Sequence, residues 1–288
     1  MNFKIKYPKK GKILIITSML IIIIFTFFNV YCNSCDENRN KSNKVLIIAH
    51  KGASAFEPEN TIASFKRAFE MKADIIEMDI HQTKDSVIVV MHDKDISRTT
   101  NGKGLIKDYF INDLMKFDAG FWFNVKNKYE RIPTLEEVFK FDSGKVKLLI
   151  EIKYGNDYYP GIEKNLINLI KKYNAYCWCI VQSFKDDPLI TIHAIDTNIV
   201  LEKLIVGDIP ILPVYIDNGL NFGSIFDLKF IKSINVNKIF LTKNLINEIH
   251  KKGFKVKVWT VDEKKVALDF INYGVDGVIT NNPNILQR

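Results

Sequence analysis

The chain has 288 residues, 47% hydrophobic and 26% charged, with 14 Gly, 8 Pro and 4 Cys. That balance belongs to a folded globular chain and excludes wholesale disorder, a collagen-like repeat and a disulfide scaffold. The net charge of +8 does not point to nucleic acid. Five lysines precede the first acidic residue, Asp36; without residues 1–34 the balance is +3, and no basic aromatic cluster remains.

Residues 13–35 carry no charge, and 13–28 are almost wholly apolar behind those lysines. This is the pattern of an export signal. It is also just long enough for a short membrane-spanning helix. In either form the basic flank stays in the cytoplasm and the bulk of the chain is exported. The run Cys32-Asn33-Ser34-Cys35 resembles a bacterial lipoprotein cleavage site, with Cys35 as the lipidated mature N-terminus. Cys32 and Asn33 are poor occupants of the usual Leu-Ala positions, and an uncleaved anchor helix is the alternative. The expectation is an extracytoplasmic, membrane-anchored protein with a leader over 1–34 and a polar tether over 35–44. The folded domain then spans 45–288, and the chain from Cys35 onward is close to the roughly 250 residues of an eight-stranded α/β barrel.

Short β-rich apolar runs at 45–50, 74–80, 87–92, 146–153, 177–183, 199–206, 231–236, 255–261 and 276–280 predict strands. Amphipathic stretches at 59–72, 134–141, 161–173, 186–195, 243–252 and 263–273 predict helices. Alternating strands and helices argue for a parallel sheet. Nine runs are one too many for a barrel of eight. The six residues between Ile80 and Val87 are too few for a parallel crossover, which needs about a dozen, so 87–92 returns as a hairpin about Thr83-Lys84-Asp85-Ser86.

Strand side chains alternate between faces. Ile76, Met78 and Ile80 share one face, and Ile75, Glu77 and Asp79 the other; Leu148, Ile150 and Ile152 oppose Leu149, Glu151 and Lys153. With the apolar faces on outer helices, Glu77, Asp79 and Glu151 point inward near the C-terminal strand ends, where barrel enzymes keep their chemistry. Buried carboxylates must be paired, protonated or bound to a cation. Oxygen-only ligands suit Ca²⁺ or Mg²⁺, and pairing with Lys153 is the competing explanation. His50 ends the first strand. His92 falls across the hairpin from about 77–78, at the depth of the acids. Two such imidazoles read as an acid/base pair, with His81 a rival for one role. His193 and His250 lie in helical stretches and read as structural, and Cys177 and Cys179 read as buried apolar residues.

These residues fall within His50-Lys51-Gly52, Pro58-Glu59-Asn60-Thr61, Glu77-Met78-Asp79, Thr83-Lys84-Asp85, His92-Asp93, Ile132-Pro133-Thr134-Leu135-Glu136-Glu137, Glu151-Ile152-Lys153, Gln182-Ser183-Phe184, Val258-Trp259-Thr260-Val261 and Val275-Asp276-Gly277-Val278-Ile279-Thr280. That ordered set resembles the glycerophosphodiester phosphodiesterase family over nearly all of 45–283. The resemblance implies a TIM-like (β/α)8 barrel with an inserted segment, about 94–145, after the second histidine. It implies His50 and His92 as the acid/base pair and Glu77, Asp79 and Glu151 as ligands of one divalent cation, Ca²⁺ or Mg²⁺. It also implies small glycerophosphodiester substrates cleaved to glycerol 3-phosphate and an alcohol.

Lys51 and Lys153 would stabilise the anionic substrate, and His50 is read as base with His92 as acid. Trp259 would wall the substrate or pack the barrel. Glu59 and Asn60 would brace the first loop or cap a helix. Two departures stand out. The family usually has Arg where this chain has Lys51, which loses the two-pronged grip on phosphate. Its Thr-Asp pair is Thr280-Asn281 here, which removes a supporting charge. Rival readings are a lysophospholipase D or sphingomyelinase D-like enzyme and a non-catalytic phosphodiester-binding lipoprotein. For the former, Phe117, Phe121, Trp122 and Phe123 offer a lipid-facing patch, although burial over the barrel mouth is the expectation for them.

Overall fold

The computed structural model describes residues 44–123, 129–209, 214–217 and 219–286; the leader, Cys35 and most of the tether lie outside the described residues. Eight strands close a parallel barrel: β1 (Leu46–Ala49), β2 (Ile75–Gln82), β4 (Lys147–Ile152), β5 (Cys179–Ser183), β6 (Val200–Ile205), β10 (Ser233–Asn237), β11 (Lys255–Trp259) and β12 (Gly277–Thr280). The pairing of β1 with both β2 and β12 completes the closure. The ninth run is β3 (Ile88–Val90), antiparallel to β2 with Ile80 opposite Val90, as the short gap requires.

Around the barrel lie α1 (Ile62–Glu70), α3 (Leu135–Asp142), α4 (Ile162–Lys172), α5 (Asp186–Ile195), α6 (Lys243–Lys251) and α7 (Lys264–Tyr273). Their starts follow from local chemistry. Thr61 and Ser64 form a capping box on α1, Thr134 and Glu137 another on α3, and the Thr242 hydroxyl accepts from the Leu245 N–H on α6. The α7 helix stops at Gly274, whose φ of 100° is a left-handed conformation open to glycine.

Strand alternation sorts the core into two parts. Ile76, Met78, Ile80, Leu148, Ile150 and Ile152 face the helices, while Ile48, Ile75, Leu149, Ile180 and Ile279 fill the barrel interior. This apolar plug forms the floor beneath the next inward layer, which is polar.

Residues after β3 build a small core of their own from Val89, Met91, Ile96, Ile106, Leu114, Ala119 and Ile132, with the short helix α2 (Ile111–Leu114) within it. The segment expected at about 94–145 thus holds this subcore and then α3, which packs in the main core. Phe117 joins the subcore, but Phe121 is 69% exposed and Trp122 38%, and neither lines the cavity at the barrel mouth. Burial over the mouth therefore fails for these two, because the subcore holds Phe117 and leaves them outside it.

Two further readings change. Cys177 precedes β5 in the short turn Ala175–Cys177; it is half-buried and disulfide-bonded, whereas Cys179 is free and buried. Beyond β6 a three-stranded antiparallel sheet appears, β7 (Gly207–Ile209), β8 (Val214–Ile216) and β9 (Leu220–Phe222), which the sequence reading lacks. Strands of three residues are too short to show a period of two. Lys203, buried in β6, reaches Asp217 just after β8 at 3.4 Å and Asp186 at the start of α5 at 2.7 Å.

Candidate active site

The inward residues of the polar layer are register partners around the barrel: Asp79 beside Glu151, Glu151 beside Gln182, and Gln182 beside Glu202. Glu77, Asp79 and Glu151 are all buried, and each offers an oxygen within 4.8 Å of the others. The Lys153 ammonium lies 2.8 Å from Glu151 Oε1 and 3.2 Å from Asp79 Oδ1. Both anticipated counter-charges are therefore in play, the lysine in place and a cation-shaped oxygen set beside it. Asp79 Oδ1 and Glu151 Oε1 are buried and share the one Lys153 ammonium as their charged partner among the described residues.

One ammonium cannot neutralise three acids, and the protonation equilibria show the strain. Burial, aided by Asp79 and Glu151, pushes the Glu77 carboxyl well above the usual range. Burial also lifts Glu151 to about 7. Burial would raise Asp79 too, but Lys153, then His92 and Lys51, pull it well below the ordinary value. Two of the three acids thus favour the neutral form unless more positive charge arrives. Three clustered carboxylates with hard oxygen donors, and only one ammonium against them, together fit a Ca²⁺ or Mg²⁺ ion.

Each acid is also held by its neighbours. Asn60 Nδ2 donates to Asp79 Oδ2 at 2.8 Å, and the Asp79 N–H donates to Asn60 Oδ1 at 3.2 Å. The Lys51 N–H donates to Glu77 Oε2 at 2.8 Å from a left-handed backbone, φ 56°. Behind Glu77 runs a buried chain that the sequence reading missed: Gln182 Nε2 reaches Glu77 at 3.4 Å, Asn235 Nδ2 donates to Gln182 and Glu202 at 2.9 Å each, and Glu202 is ion-paired with buried Lys257. The inward positions of β10 and β11 carried the signal, since polar residues there recur at alternate positions.

A cavity of about 770 Å³ opens over this layer, lined among others by His50, His92, Glu77, Glu151, Lys153 and Trp259. His50 is half-buried at the cavity wall; burial, with Lys51 nearby, lowers it to about 4. Its Nδ1 lies 2.7 Å from Asn281 Oδ1. Burial lowers His92 as well, but its Nδ1 lies 2.7 Å from a carboxylate oxygen of Asp93. Arg98, another residue absent from the sequence reading, pairs with that Asp93 and holds Glu59 at 2.7 Å. His81 is spent on structure: it bonds the Tyr159 hydroxyl at 2.8 Å and the His92 carbonyl at 3.0 Å. His193 stacks on Phe230, and His250 pairs with Asp276 at 2.8 Å.

Lys51 is placed otherwise than expected for a phosphate ligand. Its ammonium sits 3.2 Å from Glu59, and Lys51 is not among the cavity-lining residues. Glu59 therefore braces Lys51 and Arg98, and Asn60 braces Asp79, while Thr61 takes the helix cap. Trp259 does both things expected of it. It lines the cavity, and it packs edge to face on Phe184 at 5.6 Å while its Nε1 donates to the Asn235 carbonyl at 3.0 Å.

A closed α/β barrel whose mouth combines a buried three-carboxylate set with two imidazoles on one cavity defines a class of barrel suited to anionic ester chemistry. Comparison with known proteins gives the family. The Glycerophosphoryl diester phosphodiesterase family matches residues 50–285, and the chain belongs to it. It is 40% identical over 244 residues to the glycerophosphodiester phosphodiesterase of Caldanaerobacter subterraneus subsp. tengcongensis, covering 84% of this chain and 96% of that one. It is 33% identical over 266 residues to a glycerophosphodiester phosphodiesterase of Bacillus subtilis, covering 85% and 86%. Among solved structures, an Oleispira antarctica phosphodiesterase in complex with the product sn-glycerol-3-phosphate shares the fold, with TM-score 0.73, 24% identity and coverage of 84% and 95%.

Proposed function

We propose that this protein hydrolyses glycerophosphodiesters to glycerol 3-phosphate and an alcohol, with His50 and His92 moving the protons. The observation that carries this is the meeting of three buried acids and two differently partnered histidines on one cavity, in a chain of this family. Glu77, Asp79 and Glu151 would hold one Ca²⁺ or Mg²⁺. Such an ion, when bound, supplies positive charge against the phosphoryl oxygens.

The two histidines divide the work by their partners. Asn281 offers His50 a neutral oxygen, and burial keeps the ring uncharged at neutral pH, so His50 is free to accept a proton. Burial lowers His92 too, but the Asp93 carboxylate on its Nδ1 works against that lowering and favours the imidazolium once a proton arrives, which supports His92 as the donor. In the reaction His50 takes the proton of the attacking hydroxyl, from water or from the substrate's own glycerol, as its oxygen bonds to phosphorus. The bond from phosphorus to the leaving oxygen breaks, and that oxygen takes the proton from His92; where the glycerol hydroxyl attacks, the product is a cyclic phosphate, which water then opens to glycerol 3-phosphate as the ring oxygen regains a proton. Lys153 adds a fixed cation at the cavity wall, and Trp259 with Phe184 gives the apolar side against which glycerol carbons pack.

Export and membrane anchoring are part of this proposal. The charged-then-apolar leader supports them. No helix among the described residues is long and apolar enough to cross a membrane.

The test is release of glycerol 3-phosphate from a panel of head groups, with Ca²⁺, with Mg²⁺ and with chelator. Turnover with cation and none with chelator is expected. Undiminished turnover in excess chelator refutes the cation site, and tight binding without turnover makes the protein a phosphodiester-binding lipoprotein. Greater activity on lysophospholipid than on glycerophosphocholine would move the assignment to a lysophospholipase D.

A further inference from the structure

We infer that Asn281, held in one orientation by Asp262, is a positioning residue that fixes His50 with its proton on Nδ1 and its Nε2 lone pair toward the substrate. This rests on the proposed role of His50 as base.

The argument is one of donors and acceptors. Asn281 Nδ2 lies 2.6 Å from Asp262 Oδ2, and the Asn281 backbone N–H donates to Asp262 Oδ1 at 2.7 Å. A carboxylate only accepts, so the amide NH₂ must face Asp262 and the amide oxygen must face the other way. On that other side Asn281 Oδ1 meets His50 Nδ1 at 2.7 Å and the Ser54 hydroxyl at 2.8 Å. An amide oxygen also only accepts, so the proton of a neutral His50 must sit on Nδ1. Turning the amide over would set its oxygen against the Asp262 carboxylate and its NH₂ against the histidine, losing both contacts. The frame around the pair is rigid: the His50 N–H donates to the Thr280 carbonyl at 2.8 Å, and the Ala55 N–H donates to the Asn281 carbonyl at 3.0 Å.

This also explains the departure at Thr280-Asn281. The missing carboxylate is not lost but stands one hydrogen bond further back, on exposed Asp262, which the Thr280 hydroxyl also contacts at 3.0 Å. Orientation is kept while the full negative charge is withheld from the ring. His92, with Asp93 directly on its Nδ1, has the opposite arrangement. Partners of this kind set the tautomer of a reacting or ligating imidazole.

The test uses the full chain loaded with Ca²⁺ or Mg²⁺ and glycerophosphocholine as substrate. Asn281→Leu removes the acceptor at similar size. We expect kcat to fall about 10–100-fold, the usual cost of losing an outer partner, with KM within about twofold because ground-state binding is untouched. Asn281→Asp combined with Asp262→Asn exchanges donor and acceptor and keeps an oxygen on His50 Nδ1, and kcat returns to within a few-fold of wild type. In ¹⁵N spectra of labelled histidine, the His50 signals of Asn281→Leu move from the Nδ1–H pattern toward a tautomer mixture. Asp262→Ala, a change at the surface, shifts the same signals in the same direction. Wild-type kcat together with an unshifted His50 pattern in Asn281→Leu overturns the inference, and so does failure of the Asn281→Asp, Asp262→Asn double variant to restore kcat. His50→Ala separates this from the parent reading: if it is as active as wild type, the base assignment itself falls, whereas an inactive His50→Ala beside a fully active Asn281→Leu refutes the positioning role alone.

Discussion

Replacing Glu151 by Gln tests the carboxylate cluster without touching the histidines. In the folded protein Glu151 is buried at the floor of the cavity, and burial raises its carboxyl from 4.5 to about 7. That change corresponds to about 3 kcal/mol of preference for the neutral form. Because the folded value lies above the unfolded one, the native state holds a proton that the unfolded chain releases. Stability is therefore full below pH 4.5, falls as pH rises, and levels off above about 7, a total loss of about 3 kcal/mol. Glutamine has no such term. In chelator at pH 8, Glu151→Gln should unfold about 6–12 °C above wild type, at 2–4 °C per kcal/mol for a domain of this size. At pH 4.5 the gap should close. A cation at a hundred times its Kd reverses the order of benefit, adding about 2.7 kcal/mol to wild type and little to the variant. Thermal unfolding followed by circular dichroism, at both pH values and with chelator, Ca²⁺ or Mg²⁺, measures all of this. A variant that keeps the wild-type cation-linked rise, or gains nothing at pH 8 in chelator, would refute the reasoning that crowded acids await a cation.

His50→Ala and His92→Ala should each lower kcat about 10²–10⁴-fold, the range for a positioned proton-transfer group; a wild-type rate in either removes that histidine from the reaction. Lys51→Arg should keep activity, because the left-handed backbone N–H that holds Glu77 is unchanged and arginine can still reach Glu59; a large fall in kcat/KM would show that the first loop is built around lysine. Lys257→Met leaves the Glu202 carboxylate buried and unpaired, and should cost about 3–5 kcal/mol in urea unfolding, with loss of cation affinity through Asn235, Gln182 and Glu77. An unchanged unfolding midpoint would show that Glu202 finds another partner.

What the sequence disclosed and what it hid divide along a physical line. Long periodic segments carry their own evidence. The apolar face of 74–80 and 146–153 set Glu77, Asp79 and Glu151 on the inward side, and the six-residue gap forced β3 to return antiparallel. Neither inference needed a contact between distant parts of the chain. Partnership is different. Asn281 and Asp262 are 19 residues apart and meet only because the ends of β11 and β12 lie side by side at one rim. Arg98 reaches Glu59 and Asp93 from a segment that builds its own small core, with no period to mark it. Cys177 has the composition of an apolar strand residue, yet β5 begins at Cys179, so the side chain falls outside the strand. The two histidines are the sharpest instance. By residue type they are alike, and what distinguishes the proposed base from the proposed acid is the oxygen behind each, an amide for His50 and a carboxylate for His92. A sequence displays the reacting groups because their spacing along strands is local; it conceals their division of labour, because that is decided by what each group touches once the barrel has closed.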